Sequence, residues 1–236
     1  MRSGKYLFYF IVLPAIAFTL SSCLSLKREI KVSRDGSGNE TMTIKFDKVF
    51  YDIMGSFSSI MDSVKSADFM DSLYKDEDFI SKTKSRYDST PGVRLLEIYS
   101  HKNEDLSNSF VIKYEFDSLK RLKSAVMNKF DKPENDNSET EIIYDKSDGK
   151  VNFRYIYSNT KQENTGDNSD TLSTAVSKDI MELFKDGEVL FEIEFPYEII
   201  SSNAVQTEGK KLIWKYSLSE TMSADKMILE AVMKDE

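Results

Sequence analysis

The sequence predicts an α+β protein, a single domain in which an antiparallel sheet of hairpins carries about three to four helices. Three observations point there. Short runs with period-two alternation recur, separated by turns rich in Gly, Asp and Ser. Runs with apolar residues at i, i+3, i+4 and i+7 fall singly between the hairpins. The strands and helices do not alternate regularly enough for a parallel α/β sheet.

The first hairpin places Leu26, Arg28, Ile30 and Val32 in alternation with Lys27, Glu29 and Lys31. Asp35-Gly36-Ser37-Gly38 then turns the chain, and Met42, Ile44 and Phe46 alternate with Thr41, Thr43 and Lys45. From Asp47 the period changes. Phe50, Ile53, Met54, Phe57, Ile60, Met61 and Val64 line one face of a predicted helix, and Asp76 to Tyr87 forms a second with its acidic residues at the N-terminal end. Pro91-Gly92 stops that helix, and strands follow at Val93 to Ser100 and Ser109 to Phe116.

Asp117 or Ser118 is the expected cap of a helix running to Phe130. The polar stretch 131–140 leads to a second hairpin, Ile142 to Tyr144 and Val151 to Tyr157, turned by Lys146-Ser147-Asp148-Gly149. Another polar stretch, 158–170, precedes a helix capped by Ser173 and closed by Gly187. Val189, Phe191, Ile193 and Phe195 begin the most regular part of the chain. Strands at Glu198 to Ser202, Leu212 to Tyr216 and Met227 to Met233 follow, with Thr207-Glu208-Gly209-Lys210 turning between the first two.

The N-terminus reads as an address. Arg2 and Lys5 form a positive n-region, and Tyr6 to Leu20 is an uncharged, mostly apolar run containing Pro14. It is short of the ~20 residues that span hydrocarbon, and a central proline weakens a helix there. Leu20-Ser21-Ser22-Cys23 follows, aliphatic, small, small, cysteine. These four residues resemble the lipobox of bacterial lipoproteins. The resemblance implies cleavage between Ser22 and Cys23, a diacylglycerol thioether on Cys23 and acylation of the freed amine. Residues 1–22 are then a signal peptide, and 23–236 a membrane-anchored α+β domain. Several acyl chains on one residue hold firmly where one chain holds reversibly. Leu24 stands where Asp would suggest inner-membrane retention, and Ser25-Leu26-Lys27-Arg28 lacks the acidic cluster that resembles a surface-export signal. The periplasmic face of the outer membrane is therefore the favoured location.

Composition narrows the function. The chain carries 40 acidic against 32 basic residues, a formal charge of −8, which suits nucleic acid poorly as a partner. The single cysteine allows no internal disulfide. The single histidine, His101, excludes sites built on two imidazoles, and no Gly-x-Ser-x-Gly elbow accompanies it. No phosphate-binding glycine loop occurs. The segment 145–150 has the look of half a calcium loop without the late bidentate Glu, and reads as a turn; the polar run 167–170 reads as a plain polar loop, with a weak cation site as the lesser alternative. Glu192 and Glu194 read as a solvated strand face. No catalytic residue, metal ligand or cofactor is expected.

Two features point to binding. The chain has 15 Phe, 12 Tyr and Trp214, with Tyr144, Phe153, Tyr155, Tyr157, Trp214 and Tyr216 in strands. These either line a cavity for an apolar ligand or fill a solid core. Met54, Phe57, Ile60 and Met61 form a Met-rich stripe suited to adaptable apolar contact or to core packing.

Phe195-Pro196-Tyr197, the aliphatic strand after it, Ser202-Asn203-Ala204, Gly209 and Leu212-Ile213-Trp214 form a pattern of their own. It is similar to the closing motif of LppM-like bacterial lipoproteins, with Tyr197 where that family has Gly. The resemblance implies a compact α+β envelope domain able to bind lipid or glycolipid. Structurally, Pro196 ends a strand, Asn203 suits a left-handed turn and Trp214 anchors a sheet face. The functional expectation is a non-enzymatic, lipid-anchored envelope protein that binds an apolar ligand, a lipid or an envelope protein near the membrane. The alternatives are a structural or assembly accessory of the envelope without a small ligand, and a carboxylate-based hydrolase.

Overall fold

The computed structural model describes residues 24–52, 76–122, 139–158 and 187–235. Its strands, in chain order, are β1 (Leu24–Val32), β2 (Gly38–Phe46), β3 (Val93–Lys102), β4 (Asn108–Phe116), β5 (Glu139–Ser147) and β6 (Lys150–Ser158). The C-terminal part adds β7 (Glu188–Glu194), β8 (Glu198–Ser202), β9 (Gln206–Glu208), β10 (Lys211–Ser217) and β11 (Lys226–Lys234). Helix α1 spans Asp76–Asp88 and α2 spans Leu218–Ser223, and a single 3-10 turn covers Leu119–Arg121.

Strands dominate, and they form two sheets. One has seven strands in the order β3-β4-β2-β1-β7-β10-β9, the other four in the order β5-β6-β11-β8. The expected antiparallel sheet with three to four helices on it is therefore corrected: among the described residues this is a sheet-dominated, two-layer structure with little helix. Alternation within each strand identified the hairpins but carried no information on how they distribute between sheets. Among the described residues every strand pairing is antiparallel except β1 with β7, which run parallel although far apart in the chain.

The predicted strands appear with small shifts at their ends, except that the strand expected over Ile142–Tyr144 runs from Glu139 to Ser147 and takes in half of the expected turn. The predicted helix from Asp76 runs one residue past Tyr87. Ser118 caps the 3-10 turn, its hydroxyl accepting from the Lys120 N–H. Residues 48–52 are helical, and the rest of that predicted helix, with its Met stripe, lies outside the described residues, as do 123–130 and the helix from Ser173. Two elements were not predicted. The strand β9 occupies part of the expected 207–210 turn, and α2 starts at Ser217 with reciprocal bonds between Ser217 and Glu220. That capping box, Ser217-x-x-Glu220, was visible in the sequence.

The inner faces of the two sheets close on one another ring to ring. Phe153 of β6 lies 5.1 Å from Phe195 and 6.4 Å from Trp214, and Tyr155 lies 5.8 Å from Phe191. Phe153, Tyr155, Phe191, Phe195 and Trp214 are all buried in one core shared by both sheets. The aromatic residues fill a solid interior. Helix α1 extends the second layer over β3 and β4, with the Tyr87 ring 4.9 Å from that of Tyr114.

A charged network lies inside this core. Arg28 and Glu40 are 0% and 1% exposed. Arg28 Nε donates to Glu40 Oε1 at 2.6 Å and Nη2 to Oε2 at 2.9 Å, a bidentate fork. The Tyr114 hydroxyl donates to Glu40 Oε2 as well. The guanidinium carbon lies 5.2 Å from the Phe191 ring centre and 5.9 Å from that of Tyr155. Arg28 Nη1 and the Tyr87 hydroxyl have no hydrogen-bond partner there. Burial acts against the charge on Arg28, yet the adjoining Glu40 carboxylate outweighs it and holds the guanidinium firmly protonated.

Burial, and then the Glu40 charge, push the hydroxyls of Tyr114 and Tyr87 well above the usual tyrosine range. The sign follows directly. Above about pH 10 an unfolded tyrosine releases its proton while these keep theirs, so their contribution to stability is complete below pH 10 and declines as pH rises. Urea midpoints should therefore drop steadily between about pH 10 and 12 by circular dichroism; a flat alkaline limb would contradict this burial. Glu40→Leu alone strands a buried cation and should cost about 3–5 kcal/mol. The paired change Arg28→Met with Glu40→Leu should recover most of that loss in urea unfolding, and additive losses would show that the two residues do not act as a pair.

Candidate functional site

Of the sequence-predicted site residues, Ser22 and Cys23 lie outside the described residues, in the two positions ahead of β1. His101 is exposed on β3, opposite Ser109, at one edge of the seven-stranded sheet. Glu192 and Glu194 project from the outer face of that sheet. Glu192 bridges Lys27 at 3.0 Å and Lys211 at 3.4 Å, and Lys31 meets Glu194 at 3.3 Å. Partial burial acts to raise the Glu192 carboxyl, but Lys27 and Lys211 prevail and hold it below the usual range. These carboxylates belong to a ladder of cross-strand ion pairs. Among the described residues, no three His, Cys, Asp or Glu side chains stand close enough together to share a metal ion.

The segment 145–150 is a tight hairpin turn between β5 and β6. Asp148 and Gly149 both adopt left-handed backbone, at φ 52° and 70°, as the two-residue turn of this type requires. Tyr144 and Tyr197 pack beside it, and Tyr197 is buried, its hydroxyl donating to the Arg34 carbonyl at 3.0 Å. Arg34 and Lys146 approach the Tyr197 ring at 5.3 and 5.0 Å. Tyr197 thus links the first turn of the seven-stranded sheet to the end of the four-stranded one.

The C-terminal motif builds the most elaborate local geometry. After Pro196 the chain enters β8 at the edge of the four-stranded sheet, then crosses to β9 at the edge of the seven-stranded one. Asn203 sits at the crossing. Its Oδ1 accepts from Trp214 Nε1 at 2.7 Å and from the Glu230 N–H at 2.9 Å, while its Nδ2 donates to the Ile228 carbonyl at 2.8 Å. One amide therefore fastens β10 of one sheet to β11 of the other. Asn203 is not in left-handed backbone, contrary to expectation, since among the described non-glycine residues only Leu106 and Asp148 have positive φ. Its amide is used for hydrogen bonds between strands, and the crossing needs no reversal of hand.

Beside this crossing lies an open groove of about 700 Å³ lined by Glu198 to Ser202, Ala204, Thr207, Gly209 and Lys210. Ile200 in its wall and the neighbouring Val205 expose their apolar side chains. Ser201 and Ser202 have no imidazole partner, because His101 stands on the far edge strand of the other sheet. The groove offers apolar contact, hydroxyls and the opposed charges of Glu198 and Lys210.

Comparison with solved structures shows a likeness of fold. The folded domain of the Mycobacterium tuberculosis LppM protein, solved by NMR, is similar at 10% identity over 92% of each chain, with a TM-score of 0.43. No family model and no curated protein matches the chain.

Replacing Asn203 with Ala would leave a buried indole N–H without its acceptor and remove two backbone bonds. The expected cost is about 2 kcal/mol. It should appear as a lower urea midpoint with an unchanged slope, and a midpoint within error of the parent would remove Asn203 from the sheet-to-sheet link.

Proposed function

We propose that the chain is a non-enzymatic envelope lipoprotein, held through lipidated Cys23 at the periplasmic face of the outer membrane, whose domain engages an envelope partner beside the bilayer. The observation that carries this reading is the position of Cys23. It closes a lipobox-like run and immediately precedes Leu24, the first residue of β1, so the fold begins where the lipid would be attached. No tether separates the two.

The filled interior supports recognition by the outer surface. The aromatic rings that would line an internal ligand chamber are spent on contacts between the two sheets. A second reading, an apolar ligand held at the surface, rests on the exposed Ile200 in the groove beside β8. The acidic balance of the chain supports a partner other than nucleic acid.

Changing Cys23 to Ser in the full chain should move most of the protein from the membrane to the soluble fraction. The intact parent should carry the mass of a diacylglycerol thioether on Cys23, and its absence would overturn the anchor. Crosslinking in cells should recover a reproducible envelope protein from the parent and much less of it from the released Cys23→Ser chain; equal recovery would separate partner binding from the anchor.

A further inference from the structure

Two hairpin turns of the seven-stranded sheet have the same construction at opposite ends. In the β1–β2 turn, Ser33 N–H donates to the Ser37 carbonyl at 2.7 Å, Gly36 N–H to the Ser33 carbonyl at 3.0 Å, and Asp35 Oδ1 accepts the Ser37 N–H at 3.0 Å. In the β3–β4 turn, Asn103 N–H donates to the Ser107 carbonyl at 2.9 Å, Leu106 N–H to the Asn103 carbonyl at 3.0 Å, and Asp105 Oδ1 accepts the Ser107 N–H at 3.0 Å. The left-handed position is Gly36 in one, at φ 84°, and Leu106 in the other, at φ 66°. Leucine is poorly suited to that backbone, and the residue is 64% exposed.

The register shows where this leucine stands. Leu24 pairs with Phe46, Phe46 with Asn108, and Asn108 with Lys102, so the β3–β4 turn projects from the same end as the residue following Cys23. With neighbouring strands about 4.8 Å apart, the turn lies roughly 12 Å along the rim from β1. Val49, 42% exposed, lies on the helical segment that leaves β2 at this end. Behind it Phe46, Phe50 and Tyr51 form a ring cluster, with Phe46 and Phe50 4.8 Å apart and Phe50 and Tyr51 5.4 Å apart. Of the neighbouring charges, Lys45 pairs with Asp105 at 3.1 Å and Lys48 with Asp52 at 2.5 Å, while the exposed Lys102 and Glu104 are opposite in sign and Asp47 leaves a small acidic excess. Such a rim offers apolar side chains with little net charge, which suits the headgroup–acyl boundary.

We propose that this rim is a lipid-facing surface, with Leu106 and Val49 entering the boundary of the same bilayer that holds the acyl chains of Cys23. The proposal rests on the anchor at Cys23. It adds an orientation: the strands of the seven-stranded sheet stand on the membrane, and the Gly36 turn points away from it.

The sole cysteine is consumed by the anchor, so Leu106→Cys, Val49→Cys and Lys150→Cys each create one unique thiol in the full chain. Lys150 opens β6 at the opposite end and is exposed. Each variant would carry an environment-sensitive fluorophore and be reconstituted in vesicles of phosphatidylethanolamine and phosphatidylglycerol containing lipids nitroxide-labelled on the acyl chain. Flotation would be measured on the same samples. The expected result is a blue-shifted emission and several-fold stronger quenching at positions 106 and 49 than at 150. Equal quenching at all three positions in chains that float with the vesicles overturns the orientation and leaves the anchor standing. A blue shift at 106 without lipid quenching overturns it in favour of a protein neighbour. Failure of every chain to float overturns the anchor and the orientation together. Position 49 decides the matter if the Leu106 variant does not fold.

Discussion

The bidentate pair between Arg28 and Glu40 is the constraint on which the rest of the sandwich depends. Arg28 lies on β1 opposite Met42, and Glu40 on β2 opposite Ile30 and Tyr114. The fork therefore runs diagonally between two strands, and Tyr114 ties a third to the same carboxylate. A one-residue slip of β2 against β1 would turn Glu40 outward and leave a bare guanidinium in the core. Apolar residues tolerate several compact arrangements, whereas a buried charge tolerates only those that supply its partner. The pair thus selects one register for β1, β2 and β4, and the stacking of Arg28 between Tyr155 and Phe191 extends that selection to the opposing sheet.

The parallel pairing of β1 with β7 gives this constraint its reach. Strands from the two ends of the chain lie side by side at the centre of the seven-stranded sheet, so its core cannot close until the C-terminal strands have arrived. With a single cysteine no disulfide can hold the ends together. Closure rests on packing, on the Asn203 amide joining β10 to β11, and on Tyr197 reaching the Arg34 carbonyl. Cys23 adjoins this most entangled part of the fold. A lipid there would load a central strand instead of a loose end.

Much of the secondary structure was legible, because period-two alternation marks a strand with one buried face and Asp-Gly turns mark the reversals. Arg28 was even legible as a member of the inward row, set between Leu26 and Ile30. Glu40 belongs to the row of Met42, Ile44 and Phe46 by the same count, and only a polar residue's ordinary place outside concealed it. What the sequence could not convey was association. Nothing in the alternation of β1 and β7 announces a parallel pair, and nothing in the hairpin of β5 and β6 assigns it to a second layer. The sequence predicts a sheet covered by helices, whereas among the described residues two sheets cover one another. The aromatic residues were equally ambiguous until their partners were known, since a ring facing inward looks the same in sequence whether it meets a ligand or another ring. Cys23 and Ser22 rest on sequence alone.

A filled core moves the question of function to the rim. In most of the described structure local preference and global fold agree: Gly36 and Gly149 occupy left-handed positions, Ser217 caps α2, and outward charges pair across strands. Where the two agree, a residue is accounted for by the fold and carries no further message. Leu106 breaks that agreement twice, as a branched side chain in left-handed backbone and as an exposed apolar group at a loop tip. Leu96 is also exposed, yet it sits at the register shift of β3, where the extra residue of a bulge has no cross-strand partner, so the sheet explains it. No comparable feature of the sheet explains Leu106, whose twin position at the other end is glycine. The difference between two otherwise equivalent turns is thus located at the end of the sheet from which β1 starts, and the pairing of the strands does not account for leucine there.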